Sequence, residues 1–167
     1  KYCLKEKRFK MLRPDYKLAY MLQYENIAWY ENGEVRILDR RVYPVKIEFV
    51  TCRTHQEVAT AITDMVTQSA GPFSAAAMGM ALAAYECRNK NEKGQRLHLR
   101  MAAELISNAR PTTKTRMQQV TANCLKAAEL AFAGGKNVCD AIFAEAVASN
   151  DRRYIRVSKI AENLVDM

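Results

Sequence analysis

The chain has 167 residues, 49% hydrophobic and 26% charged. These values fit one globular domain with a substantial core and exclude a disordered tail, a collagen-like repeat and a disulfide miniprotein. Its 26 basic and 18 acidic residues give a net charge of +8. Seven of the basic residues fall within residues 1–17 against only Glu6 and Asp15, so the rest of the chain is nearly balanced. That distribution describes a basic leader over residues 1–23, with a short helix expected in it, on a near-neutral body. It argues against a uniformly basic nucleic-acid binder. The longest nearly unbroken apolar run, Ala75–Tyr85, spans 11 residues, far short of the ~18–20 that cross a bilayer. The leader also lacks the apolar stretch of a secretory signal. The five cysteines form no CxxC pair, and neither His55 nor His98 lies at ligand spacing from one. Reduced, mostly buried thiols in a cytoplasmic protein are therefore expected, with no metal site and no cofactor.

Strands come first. Ile27–Tyr30, the pair Asn32-Gly33 and Val35–Leu38 predict a hairpin on a type I′ turn, because both central residues of that turn need positive φ. A third strand is expected over Lys46–Cys52, where Ile47 and Phe49 alternate with Lys46 and Glu48. Beyond Cys52 the period becomes helical. Thr54 and Glu57 form a capping box, and Val58, Ala61, Ile62, Met65 and Val66 fall on one apolar face. Pro72 suits the first turn of a following helix, about Phe73–Arg88, whose small residues on every face imply a central position with closely approaching neighbours. After a polar loop over 89–94, a helix is expected from about Gln95 to Ser107, stopping before Arg110-Pro111. Thr112 or Thr113 then caps a long helix with Met117, Val120, Thr121, Cys124, Ala128 and Ala131 on its apolar face. Gly134-Gly135 ends it, and Asn137 caps the last helix from Val138, which Asn150-Asp151 either interrupts or exposes to water. The fold class is α+β: a small three-stranded antiparallel sheet followed by an antiparallel bundle of about five helices.

The chemical inventory is thin. Neither histidine has a nucleophile or an orienting carboxylate nearby in sequence, and both are expected at the surface or at helix ends. Gly134-Gly135-Lys136 is a helix C-cap, since Leu130 stands where a phosphate loop needs glycine. Tyr16, Tyr20 and Tyr24 could stack on bases beside the basic leader, but packing of a short amphipathic helix on the sheet accounts for them better. Two loops stand out. Gln68-Ser69-Ala70-Gly71-Pro72 opens into a helix start, whose free N–H groups and positive dipole end favour an anion. Ala109-Arg110-Pro111-Thr112-Thr113 does the same and adds a guanidinium fork suited to phosphate or carboxylate.

The strings Trp29–Arg41, Thr54–Ala59, Asp64-Met65-Val66, Ala76–Leu82 and Asn108–Thr112 resemble, in unbroken order over residues 24–167, the amino-terminal domain of methylthioribose-1-phosphate isomerases. These share a superfamily with ribose-1,5-bisphosphate isomerase and the regulatory subunits of translation initiation factor 2B. The resemblance implies an aldose-phosphate to ketose-phosphate isomerisation, in methionine salvage, in which this domain covers the sugar-phosphate site. The acid/base cysteine and aspartate then belong to a carboxy-terminal Rossmann-like domain expected to lie outside this chain, with none of the present cysteines catalytic. The implied substrate-binding residues are Gln68, Ser69, Ala70, Gly71, Pro72, Arg110, Pro111 and Thr112. The expected partners are a phosphorylated sugar, the catalytic domain or chain, and further copies in a homo-oligomer, with neither nucleic acid nor membrane. Where the isomerases carry Arg-Gly-Ala-Pro, this chain has Gln68-Ser69-Ala70-Gly71-Pro72. A missing loop arginine removes a charge-assisted phosphate contact of about 1.5–3 kcal/mol. Either the substrate differs, or another residue supplies the charge, or catalysis has been lost. The alternative class is a non-catalytic regulatory or interaction module like the initiation-factor subunits.

Overall fold

The structure is a computed structural model and describes residues 13–165. Three strands, β1 (Ala28–Glu31), β2 (Glu34–Leu38) and β3 (Phe49–Cys52), form an antiparallel meander in the order β1-β2-β3. Six α-helices accompany it: α1 (Tyr24–Ile27), α2 (His55–Thr63), α3 (Gly71–Cys87), α4 (Glu92–Asn108), α5 (Lys114–Ala133) and α6 (Val138–Val165). The α+β class and the bundle of five helices after the sheet stand as read from the sequence. No helix among the described residues is long and apolar enough to cross a membrane.

The hairpin forms on Asn32 and Gly33, both at positive φ (52° and 82°), with Ala28 opposite Ile37 and Glu31 opposite Glu34. The third strand is shorter than expected. Its last pair is Phe49 with Leu38, where β2 ends, and only the Asp39 N–H to Glu48 carbonyl bond continues the contact. Residues 46–48 have no strand to pair with, and Ile47 is exposed despite its alternation.

The Thr54 hydroxyl accepts the Glu57 N–H at 3.2 Å and starts α2, a cap of the kind that contributes about 1 kcal/mol. The Glu57 carboxylate reaches back to the N–H of Arg53, one residue before the cap. α2 ends at Thr63. Met65 turns left-handed (φ 61°) and is exposed instead of completing the apolar face, whereas Val66 returns to the core.

α3 is the axle of the molecule: every residue from Ser74 to Ala84 is buried, packed by α2, α4, α5, α6 and the hairpin. Its alanines and Gly79 let backbones approach. A Cβ on Gly79 would stand 2.9 Å from Val58 and 3.1 Å from Ile106, inside ordinary contact distance.

α4 starts three residues earlier than the pattern suggested, because the Asn91 side chain caps it by accepting the Gly94 N–H at 2.8 Å. It stops at Asn108, ahead of Pro111, as the pre-proline restriction requires. The six apolar positions read on α5 are all buried, and Gly135 (φ 60°) terminates it. Asn137 accepts the Asp140 N–H and caps α6. α6 then runs unbroken through Asn150 and Asp151, which neither interrupt it nor face water. Asn150 is buried against Ser74, and Asp151 accepts the Tyr24 hydroxyl at 2.6 Å.

Of the leader, residues 1–12 lie outside the described residues. Residues 13–23 form turns and one 3-10 turn at Tyr20–Leu22. Arg13 is held by Asp15 and Glu25 at 2.7–2.9 Å, its guanidinium over the Tyr24 ring. Tyr24 is fully buried, so the three tyrosines do not share a stacking face. Cys52, Cys87 and Cys124 are buried free thiols and Cys139 is half-buried. Burial pushes all four thiols above their usual range, Cys52 and Cys87 up to about 11.

Candidate anion site

The turn between α2 and α3 is built for close approach. Ser69 takes a left-handed backbone (φ 56°), and the Gly71 N–H closes the turn on the Gln68 carbonyl at 2.9 Å. A Cβ on Gly71 would overlap the buried Thr67 hydroxyl, so only glycine fits under that side chain. Pro72 sits in the first turn of α3, where a missing N–H costs nothing.

Gln68, Ser69, Ala70 and Gly71 line a niche of about 90 Å³ whose floor is apolar, from Ile27 and Leu38 among others, and whose cations are Arg40 and Arg153. Neither arginine was singled out from the sequence. Arg40 leaves the end of β2, fixed by its backbone N–H on the Val66 carbonyl at 2.8 Å. Beside it, Asp39 and Arg41 form a bidentate pair at 2.7–2.9 Å. The hydrogen bonds from Arg41 outweigh burial and hold the Asp39 carboxyl below its usual range. Arg153 comes from α6 and donates to the Ala70 carbonyl at 3.0 Å and the Ser74 hydroxyl at 3.3 Å. Burial pushes its guanidinium down from the ordinary value, and Arg116 nearby acts in the same direction.

Arg153 also lines a wider groove of about 350 Å³ between α5 and α6, with Phe73, Arg116, Asn150, Arg152 and Arg156. Arg116 lies over the Phe73 ring at 5.4 Å. This contact, with the Thr63 hydroxyl on the Ala109 carbonyl at 2.9 Å, brings the 109–113 loop to the same end of the bundle as the 68–72 turn. Arg110, Pro111 and Thr112 do not line the niche. Pro111 and Thr112 are exposed in a 3-10 turn, and Thr113, which precedes α5, makes no side-chain cap bond but turns its hydroxyl to the Arg110 carbonyl.

Among the described residues, Arg40, Arg110, Arg116 and Arg153 enter no ion pair. Among the described residues, three buried side-chain polar atoms have no hydrogen-bond partner: Arg40 Nε, Arg110 Nη1 and Asn150 Nδ2. All three are donors. Buried donors without acceptors are costly, about 1–3 kcal/mol each and more for charged groups, and here they gather at one end of the molecule. The arrangement suits an acceptor-rich anion.

A second cluster corrects the reading of the histidines. Glu86, 31 residues beyond His55 in sequence, accepts the His55 N–H on Oε1 at 2.6 Å, and its Oε2 meets His55 Nδ1 at 2.6 Å and His98 Nε2 at 3.0 Å. His55 starts α2 but is buried, and the two rings stand edge to face, 4.9 Å apart. Burial would raise the Glu86 carboxyl, but the hydrogen bonds from His55 and His98 prevail and lower it. For His98, burial prevails over the Glu86 hydrogen bond and lowers its value.

A three-stranded meander wrapped on a five-helix bundle, with two helix-start loops at one end, defines a distinct class of small α+β domain. No family model matches the chain. Among curated proteins it is similar to the methylthioribose-1-phosphate isomerase of Natranaerobius thermophilus, 38% identical over 84 residues, 50% of this chain and 24% of that protein. It is also similar to the putative methylthioribose-1-phosphate isomerase of Archaeoglobus fulgidus, 34% identical over 88 residues, 52% of this chain and 25% of that protein. Among solved structures, translation initiation factor eIF-2B subunit delta from A. fulgidus aligns with a TM-score of 0.60 and 26% identity over 76% of this chain and 36% of that one. The 5-methylthioribose 1-phosphate isomerase of Pyrococcus horikoshii shares the fold with a TM-score of 0.62 and 24% identity over 72% and 34%. Together these show that the chain is similar, in part of its sequence and in its fold, to methylthioribose-1-phosphate isomerases and to an eIF-2B subunit. The chain spans about a quarter of the length of the curated relatives it matches.

Proposed function

We propose that this chain is the substrate-covering part of a cytoplasmic sugar-phosphate isomerase of the methylthioribose-1-phosphate type, binding the anionic end of its substrate at the start of α3. The observation that carries this reading is the set of unpaired arginines around the 68–72 turn. Arg40 and Arg153 supply there the charge that the relatives' loop arginine would supply. Gln68 and Ser69 donate to the substrate, Gly71 and Pro72 shape the helix start, and Arg110 with Pro111 and Thr112 approaches from the neighbouring loop. A niche of about 90 Å³ holds an anionic group and no more, while the adjoining groove of about 350 Å³ reaches the lower end of small-ligand sites. Phosphate in the niche between Arg40 and Arg153, with the sugar toward Phe73 and Asn150, brings acceptors to the Arg40 and Asn150 donors. The catalytic cysteine and aspartate come from a carboxy-terminal domain or chain in a homo-oligomer. Val157, Ile160 and Leu164, each more than half exposed along α6, offer that partner an apolar stripe.

The test is isomerisation by the protein carrying this chain across a panel of aldose 1-phosphates. One substrate should turn over, and Arg110→Ala should raise its KM about ten- to hundredfold. An unchanged KM would overturn the assignment of Arg110. Tight binding of sugar phosphates without turnover would favour the non-catalytic module, a reading supported by the likeness to the eIF-2B subunit.

A further inference from the structure

Glu86 lies about 22 Å along α3 from Gly71, at 1.5 Å per residue, so its cluster is separate from the anion site. From the geometry we infer that His55, Glu86 and His98 bind a divalent first-row cation of the zinc type, through His55 Nδ1, Glu86 Oε2 and His98 Nε2. These three atoms lie within 4.8 Å of one another, and each comes from a different helix. Two imidazoles and one carboxylate are a donor set that zinc takes with a fourth position left to water.

Two features distinguish this cluster from a chance meeting of polar groups. The carboxylate is already oriented: its Oε1 is engaged by the His55 N–H, which leaves Oε2 as a monodentate ligand facing both rings, the kind of outer support that metal ligands require. The cluster is also open on one side, since the Glu86 and His98 side chains are each 19% exposed while His55 is 5% exposed. An ion can enter from the Glu86–His98 side and keep a water there. The ring-to-carboxylate distances of 2.6 and 3.0 Å need to open only to about 3.3 Å, the separation of two ligands on a tetrahedral ion at about 2.0–2.1 Å.

A carboxylate only accepts hydrogen bonds, so in the ion-free protein His55 Nδ1 and His98 Nε2 each present their proton to Glu86. Coordination requires the lone pairs of those same atoms. The protons therefore move through solvent to His55 Nε2 and His98 Nδ1, and each neutral ring keeps one proton. This change of tautomer separates metal binding from a purely hydrogen-bonded staple.

The experiment is equilibrium dialysis of the tag-free protein against zinc sulfate with metal analysis, together with ring ¹⁵N spectra of the histidines. Wild type should take up one zinc per chain more than His98→Ala, which keeps the His55–Glu86 pair. Glu86→Gln should bind at least about tenfold more weakly. On adding zinc, the bound nitrogens should lose their N–H signals and the opposite nitrogens gain them. Thermal melts of each variant without metal check that it is folded. Equal uptake by wild type and folded His98→Ala, or ring nitrogens unmoved by zinc, would overturn the proposal.

Discussion

The two ends of α3 gather charge in opposite ways. At the amino-terminal end, Arg153 lines one niche with Arg40 and one groove with Arg116, none of the three in an ion pair among the described residues, and the buried Arg40 Nε and Asn150 Nδ2 lack acceptors. At the carboxy-terminal end, two rings and a backbone N–H converge on one carboxylate, and every donor there is satisfied. The first end leaves donors open, which is the basis for proposing an anion there, while at the second the donors and acceptors already meet. Open donors at one end and a closed polar network at the other thus lie along a single helix.

The largest break in this comparison is at its shared axle. Leu82, fully buried in α3, should cost about 2–5 kcal/mol when changed to alanine, and urea unfolding should show both ends loosening together. Next is the cradle itself. Gly71→Ala forces a methyl against the buried Thr67 hydroxyl, an overpacking of about 1–3 kcal/mol visible as a lower Tm, with anion affinity lost alongside. Arg153→Met sharpens the contrast, because removing a buried cation that has no carboxylate partner is close to neutral or stabilising. Its Tm without ligand should hold or rise, while affinity for phosphate falls about ten- to hundredfold.

The smallest effect is pH-dependent. Asp39, held below its usual pKa by Arg41, contributes stability that is present above the unfolded carboxyl value of about 4 and is lost as pH falls toward the lower folded value. Asp39→Asn should lower the Tm slightly near neutrality and flatten its dependence on pH below pH 4, so that variant and wild type converge in acid.

Much of this fold was legible because its signals are local. The Asn32-Gly33 turn, the Thr54 cap, the buried face of α5 and the small-residue axle each follow from a few neighbouring residues. The third strand misled because alternation at Ile47 and Phe49 says nothing of where the partner strand ends, and β2 ends at Leu38. Asn150-Asp151 misled because polar residues in a helix look like a break until a buried Ser74 and a Tyr24 hydroxyl are found opposite them.

The candidate site residues divide the same way. The 68–72 turn announces itself by glycine and proline before a helix. Arg40 and Arg153, 113 positions apart in the sequence, line one niche only in the folded chain, Arg40 from just beyond β2 and Arg153 from α6. His55, Glu86 and His98 likewise sit on three helices, and no spacing rule links them.

The most direct test of the central claim is calorimetric titration of inorganic phosphate into the protein carrying this chain, comparing wild type with Arg40→Met and Arg153→Met. The account predicts one phosphate bound per chain, weakened about tenfold or more by each substitution with the fold intact. Equal affinity in all three proteins would contradict it.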